Sequence, residues 1–189
     1  RSRHLPDSAE PTDEDSNESL SDGPLTISWL LPLLPVLAVS VVATSLLSLQ
    51  QSALPLDLVR GGLSRPGLSE THSSALIALQ LILLVSLQWP VGRWLADRSV
   101  RFGLGISLIG FSIGSALIAL SCLFTAGTAV VLVALLPMAF AQAAFLPTAT
   151  EAVIEETPPG HRGLAMALFS QCFTVSAIVA PLLGGALLD

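Results

Sequence analysis

Charge is scarce in this chain, and most of it lies in one terminal segment and a few short connections. Asp, Glu, Lys and Arg make up 12% of the 189 residues, whereas soluble domains carry about a quarter. Lys is absent altogether, and residues 102–150 contain no charged side chain. A soluble domain cannot bury so long an apolar helix, so lipid is the expected solvent for most of the chain.

The sequence also lacks the patterns that nucleic-acid-binding proteins and common enzymes need. No basic stripe with interleaved aromatic residues is present to neutralise phosphates, so a nucleic-acid partner is not expected. His-Glu-x-x-His, Gly-x-Ser-x-Gly and Walker-type loops are missing, so no catalytic residue, metal or cofactor is predicted. Cys122 and Cys172 lie in apolar runs and are interpreted as small packing residues.

The first 24 residues form a separate acidic segment that holds seven of the fourteen acidic side chains. It has too little apolar surface to offset the entropy of ordering. We therefore predict that residues 1–24 are a disordered cytoplasmic tail or central linker and that residues 25–189 form a transmembrane helical domain. Because the chain begins without Met and stops after an apolar run, we expect it to be a piece of a longer polypeptide.

Five apolar stretches follow the acidic segment, each close to the ~20 residues that a helix needs to cross the hydrocarbon core. They lie at about 26–49, 74–92, 102–123, 128–152 and 163–188. The predicted fold is therefore all-α, a polytopic membrane bundle of about five helices. Residues 50–73 form the one long connection; the alternative is that the first helix extends into it as far as about Arg60. The spacing Gly110-x-x-x-Gly114 in the third stretch favours close helix packing.

The arginines predict how these helices cross the membrane. With the N-terminal segment on the cytoplasmic side, six arginines lie inside and two outside, as the positive-inside rule favours. The inside set is Arg1, Arg3, Arg93, Arg98, Arg101 and Arg162, and the outside set is Arg60 and Arg65. We expect an integral protein of the plasma or inner membrane with its N-terminal segment in the cytoplasm.

The connection between the second and third stretches, residues 90–101, places Asp97 among Arg93, Arg98 and Arg101. Two interpretations account for these charges. The arginines could serve as a topology anchor, or Asp97 could accept hydrogen bonds from Arg98, Arg101 or the exposed amides of a helix N-terminus.

Residues Leu95-Ala96-Asp97-Arg98, followed by Arg101, resemble the signature loop of the major facilitator superfamily, Gly-x-Leu-Ala-Asp-Arg-x-Gly-Arg-Arg. The match is partial, because the leading Gly is displaced to Gly92 and the last positions differ. Further along, residues 147–151 and 158–167 lead to Pro181-Leu182-Leu183-Gly184-Gly185. This passage is similar to the family's course from a fourth helix through an Arg-Gly loop into a fifth helix.

The resemblance implies five helices that correspond to helices seven to eleven, in the second half of a transporter. It implies secondary active transport of a small solute by alternating access, with the first half of the same polypeptide as a partner. Asp97, Arg98 and Arg101 would form a cytoplasmic conformational latch. The alternatives are a non-transporting membrane scaffold or assembly factor and, less favoured, an intramembrane enzyme.

Polar side chains inside the apolar stretches are the candidates for a substrate path, because such groups are costly in lipid. They are Gln50, Gln51, Gln80, Gln88, Gln142, Glu151 and Gln171. Gln142 and Gln171 lie deepest and rank first as cavity groups, followed by Gln80, Gln88 and Glu151. The competing interpretation is that each Gln binds a neighbouring helix as structural glue and that Glu151 is an interfacial carboxylate.

Overall fold

A computed structural model describes residues 27–188, which form a bundle of long α-helices; the predicted tail at 1–24 lies outside this range. The helices are α1 (Leu30–Arg60), α2 (Glu70–Leu95), α3 (Val100–Ser121), α4 (Gly127–Glu155) and α5 (Arg162–Leu188), with 3-10 turns at Ile27–Trp29 and Pro159–His161. No strand occurs among these residues, and five helical segments are long and apolar enough to cross a membrane. The all-α prediction is confirmed.

Capping groups set the helix ends, so the helices extend past several of the predicted limits. Helix α1 continues to Arg60 and stops where Gly61 adopts a φ of 86° and donates its N–H to Asp57 O at 2.9 Å, a conformation that glycine adopts without strain. Helix α2 begins four residues before the predicted start, because the Ser69 hydroxyl accepts a hydrogen bond from the N–H of His72.

Helix α4 lies at the centre of the bundle, and 56% of its most apolar 18-residue stretch is buried. It packs against α3 along its length and against α2 on another side, whereas α1 pairs mainly with α5. The α3–α4 contact uses the predicted glycine spacing. A Cβ on Gly110 would lie 2.9 Å from the Ala141 Cβ, and one on Gly114 would overlap Met138. Close approach of the two backbones therefore requires both glycines.

Hydroxyl groups join α1 to α5 within the apolar bundle. The Thr44 and Ser176 hydroxyls lie 2.7 Å apart, and the Ser45 hydroxyl lies 3.1 Å from that of Ser176. Thr44 also donates to the carbonyl of Ser40 at 2.7 Å. Interhelical hydrogen bonds of this kind stabilise helix pairs in membranes, so α1 and α5 form a bonded pair.

Helix α1 is separated from α3 along much of its length by a space that contains two cavities. We call this space the α1–α3 cleft. The first, of about 560 Å³, lies beside Pro35 and Arg101 and is also bordered by α4. The second, of about 460 Å³, lies beside Gln50 and Ile118. The bundle therefore consists of an α1–α5 pair and an α2–α3–α4 group that pack together through α4, while the cavities leave a loosely packed seam between α1 and α3.

Charged side chains of the described residues lie at the two ends of the bundle. The Trp94 end comprises the start of α1, residues 96–99 and residues 156–161; the Arg65 end comprises residues 61–69 and 122–126. Charges at the Trp94 end are Arg93, Asp97, Arg98, Arg101, Glu151, Glu155, Glu156 and Arg162, and those at the Arg65 end are Asp57, Arg60, Arg65 and Glu70. The middle of the bundle is left to apolar and uncharged polar groups.

Candidate functional site

Three glutamines from three helices meet in the middle of the bundle and form what we call the amide cluster: Gln50 of α1, Gln80 of α2 and Gln142 of α4. Their exposed fractions are 8%, 6% and 7%. The Gln142 Nε2 donates to the Gln50 Oε1 at 2.5 Å. With the Gln80 amide oriented so that each atom faces a complementary group, its Oε1 accepts from the Gln50 Nε2 at 3.3 Å. A continuous hydrogen-bonded chain thus links the three side chains.

The chain of amides continues into the backbone of α4. In the same orientation, the Gln80 Nε2 donates to the carbonyl of Leu135 at 3.0 Å and its Oε1 accepts from the N–H of Ala139 at 3.2 Å. Leu135 and Ala139 are four residues apart, so these two groups occupy the acceptor and donor positions of one helical hydrogen bond of α4. Gln80 therefore binds α4 beside Pro137, whose missing N–H removes the helical donor to the carbonyl of Val133. The amide cluster is thereby attached to the backbone of α4 as well as to the side chain of Gln142.

The amide cluster lies beside a small cavity of about 30 Å³. Its apolar walls are Leu54, Leu58, Leu76, Ile77, Leu81 and Leu135. Gln51 borders the same cavity with its side chain exposed. The arrangement presents amide donors and acceptors in an apolar wall, which suits hydrogen bonding to an uncharged polar group. The cavity is too small to enclose a solute in this conformation.

The other predicted cavity residues lie elsewhere. Gln88 on α2 and Gln171 on α5 are exposed on the bundle surface and are not part of the amide cluster. Glu151 is exposed in the last turns of α4 at the Trp94 end. Gln50, by contrast, occupies the centre of the cluster, although its place in the sequence ranked it behind Gln142 and Gln171.

In and beside the connection between α2 and α3, two arginine side chains lie over aromatic rings. The guanidinium carbon of Arg98 lies 5.1 Å from the ring centroid of Trp94 and 5.3 Å from that of Phe102. Arg93 lies over Trp89 at 5.8 Å. These cation–π contacts hold the cations near the bundle end, while the exposed Asp97 forms no ion pair with the arginines of residues 27–188.

A cavity of about 300 Å³ separates this connection from α4. Arg98 and Glu151 both border it, together with Ser99 and Thr148. The structure thus brings Glu151 near the predicted latch residue Arg98, whereas the sequence placed these two in unrelated groups. Arg101 borders the neighbouring cavity of the α1–α3 cleft with Glu155 and Glu156.

One charged contact was missed by the sequence interpretation, which treated Arg65 as an outer-loop charge. The Arg65 side chain is completely buried and its Nη2 lies 2.6 Å from the Asp57 Oδ2. The available signal was the clustering of Gly61, Gly62 and Gly67 around Arg65, since glycines permit a chain to fold back closely.

The family model described as Major Facilitator Superfamily matches residues 25–189. The chain belongs to this superfamily. No match was found among curated proteins or among solved structures. Membership confirms the resemblance inferred from Leu95-Ala96-Asp97-Arg98, and it makes this an integral membrane protein of a transporter family, with a lipid bilayer around its helices and a small molecule as its substrate.

Membership in a major facilitator family, which is a family of transporters, favours transport over the enzyme alternative. The matched range contains both the amide cluster and the charged connection around Asp97. The correspondence of α1 to α5 with helices seven to eleven remains a prediction.

Proposed function

We propose that the protein is a secondary active transporter of a small solute that works by alternating access, and that the amide cluster forms part of the solute path. The observation that carries this proposal is the meeting of Gln50, Gln80 and Gln142 inside apolar helices of a major facilitator protein. Amides are costly in lipid unless they are paired. Their burial on three separate helices therefore supports a role beyond packing.

Exchange of hydrogen bonds explains how such a cluster could bind and release a solute. A carbonyl or hydroxyl of the solute replaces the bond between Gln142 and Gln50, so one hydrogen bond is lost as another forms. The net free-energy change of such an exchange is small. Binding is then strong enough for selection and weak enough for release, as transport requires.

We further propose that Asp97, Arg98 and Arg101 act as a conformational latch at the cytoplasmic side. The exposed carboxylate of Asp97 is available to a helix terminus or cation from another element. The contacts of Arg98 with Trp94 and Phe102 support a defined position for its charge. A latch that forms in one conformation only would shift the balance between the two states of the alternating-access cycle.

Alternating access needs two helical halves that move against each other. We propose that α1 to α5 act with a second half of the same polypeptide, and that Gln88 and Gln171, exposed here, are further cavity groups facing it. The topology proposed is an N-terminal segment in the cytoplasm of a plasma or inner membrane, supported by the six arginines that this orientation places inside.

Transport by the full-length protein in proteoliposomes tests the proposal. A panel of uncharged and charged compounds is measured with and without a proton gradient. We expect uptake of at least one compound, with KM raised at least about tenfold in Gln142→Leu and in Gln50→Leu, because both lose the solute-binding amide. Ser112→Ala, an exposed position on α3, is the matched control. Parent-like KM in both glutamine variants would contradict the proposed path.

A further inference from the structure

The side chain of Arg65 forms hydrogen bonds and an ion pair at one end of the α1–α3 cleft. Its Nη2 donates to the Asp57 Oδ2 at 2.6 Å and to the Asp57 carbonyl at 3.0 Å. Its Nη1 donates to the Ser121 Oγ at 2.6 Å. A completely buried guanidinium is costly unless it is paired and hydrogen-bonded. Arg65 meets this condition at Nη1 and Nη2, which bond the last turn of α1 to the last residue of α3, while its buried Nε has no hydrogen-bond partner.

The backbone around Arg65 is fitted to the turn between α3 and α4. The N–H of Ser64 donates to the carbonyl of Cys122 at 2.9 Å. A Cβ on Gly62 would lie 2.7 Å from the Cys122 Cα, and one on Gly127 would lie 3.0 Å from the Arg65 Cγ and Cδ. Larger residues at either glycine would push the α1–α2 connection away. The α1–α2 connection therefore packs against the α3–α4 turn, and the end of α1 is attached to this connection.

Helix periodicity connects this contact to the amide cluster. Gln50, Leu54 and Asp57 are spaced by four and three residues, which puts them on one face of α1. All three border the same cavity of about 460 Å³, whose opposite wall includes Ile118 and Met138. The cavity provides little packing to set the separation of α1 from α3. The contact made by Arg65 closes the end of this gap.

We propose that Arg65 is a positioning residue for the amide cluster: by bonding Asp57 to Ser121, it fixes the separation and rotation of α1 and hence the place of Gln50 relative to Gln142. Arg65 acts through α1 and makes no contact with the solute. The transport part of this proposal rests on the proposed function of the cluster, whereas the geometric part does not.

Cross-linking measures the geometry without any transport assay. Full-length protein in membranes carries Cys122→Ser and Cys172→Ala, and Gln50→Cys and Gln142→Cys are joined by a short bifunctional thiol reagent. Adding Arg65→Gln should lower the cross-linking rate at least about fivefold, because α1 then loses the attachment of Asp57 to Ser121. Arg162→Gln, an exposed arginine at the Trp94 end, should leave the rate unchanged.

Two further variants extend the test, and the first keeps the proposal falsifiable if Arg65→Gln fails to insert. Ser121→Ala removes one hydrogen bond and retains the ion pair, so its cross-linking rate should fall below that of the parent and stay above that of Arg65→Gln. A parent-like rate in Ser121→Ala would overturn the proposal. Asp57→Asn combined with Arg65→Gln removes both charges, and its rate should equal that of Arg65→Gln alone, since residues of one contact are not additive. Additive effects would count against a shared contact.

Transport kinetics then test the consequence for the cluster in protein with native glutamines. Arg65→Gln should raise KM about tenfold with a smaller change in kcat, since misplaced amides weaken solute binding. Arg65→Lys should recover part of the loss, because it restores the charge but not both arms of the guanidinium. A folded Arg65→Gln variant with parent cross-linking, or with altered cross-linking and parent KM, overturns the proposal. A parent protein that transports nothing overturns the proposed function instead, and cross-linking still decides whether Arg65 positions Gln50.

Discussion

Gln142 donates a 2.5 Å hydrogen bond to Gln50, a residue 92 positions earlier in the chain, and both side chains are buried. This bond joins α4, the centre of the bundle, to α1 beside the apolar cluster that Leu54 and Leu58 form with Val131 and Leu135. The bond therefore has two consequences. It pairs amides that lipid would leave unpaired, and it connects the two parts of the bundle at mid-depth.

The contact of Gln80 with α4 predicts a loss of stability when its amide is removed. Gln80→Leu deprives the carbonyl of Leu135, the N–H of Ala139 and the Gln50 Nε2 of a side-chain partner, so it should destabilise the protein by about 1–3 kcal/mol. Gln88→Leu, the same change at an exposed position of α2, is the control and should cost less. Unfolding in a denaturing detergent titration measures both. Equal costs at the two positions would show that the contact of Gln80 does not stabilise the bundle.

The close approach of α3 to α4 predicts a strong position dependence among the glycines of α3. Gly110→Val should destabilise the protein by about 1–3 kcal/mol, since the new side chain meets Ala141. Ala141→Gly should recover part of this loss. Gly105→Ala is the control, because a Cβ there has no neighbour within 4 Å. Thermal unfolding in detergent measures each variant, and similar losses at Gly105 and Gly110 would refute the packing explanation.

The proposed latch predicts a change in transport without a change in membrane insertion. Asp97→Ala in the full-length protein should lower the transport rate about tenfold or more, because one conformation loses a charge contact that stabilises it. The amount of inserted protein should stay near that of the parent, since Asp97 is exposed. Transport assays and membrane yield are measured together. Unchanged transport at equal yield would contradict a latch role for Asp97.

The sequence predicted the helices well because the bilayer imposes a simple requirement. A backbone in lipid must satisfy its own hydrogen bonds, so an apolar run of about 20 residues is a helix almost regardless of detail. Packing at Gly110 and Gly114 was also predictable, because small residues at helical spacing permit close contact. The ends of α2 depended on local capping by Ser69, which hydropathy does not report.

The composition of the amide cluster was predictable only in part. Depth along a helix can be read from the sequence, and depth ranked Gln142 and Gln171 first. Rotation about the helix axis cannot be read in the same way, because helices that are apolar on all sides do not mark an inner face. Gln142 therefore lies in the cluster and Gln171 on the surface. The burial of Arg65 depended on the chain folding back onto the turn at Cys122; the glycines around Arg65 permit such a fold but do not specify which turn it meets.

The uneven joining of the helices determines how the bundle responds to its surroundings. Hydrogen bonds between hydroxyl groups join α1 to α5, and close packing at the α3 glycines joins α3 to α4. Cavities, by contrast, separate α1 from α3. A bilayer thinner or thicker than the helices imposes tilt. We expect the cavities between α1 and α3 to accommodate such tilt before the bonded helix pairs do, so lipid chain length should change the spacing of α1 from α3.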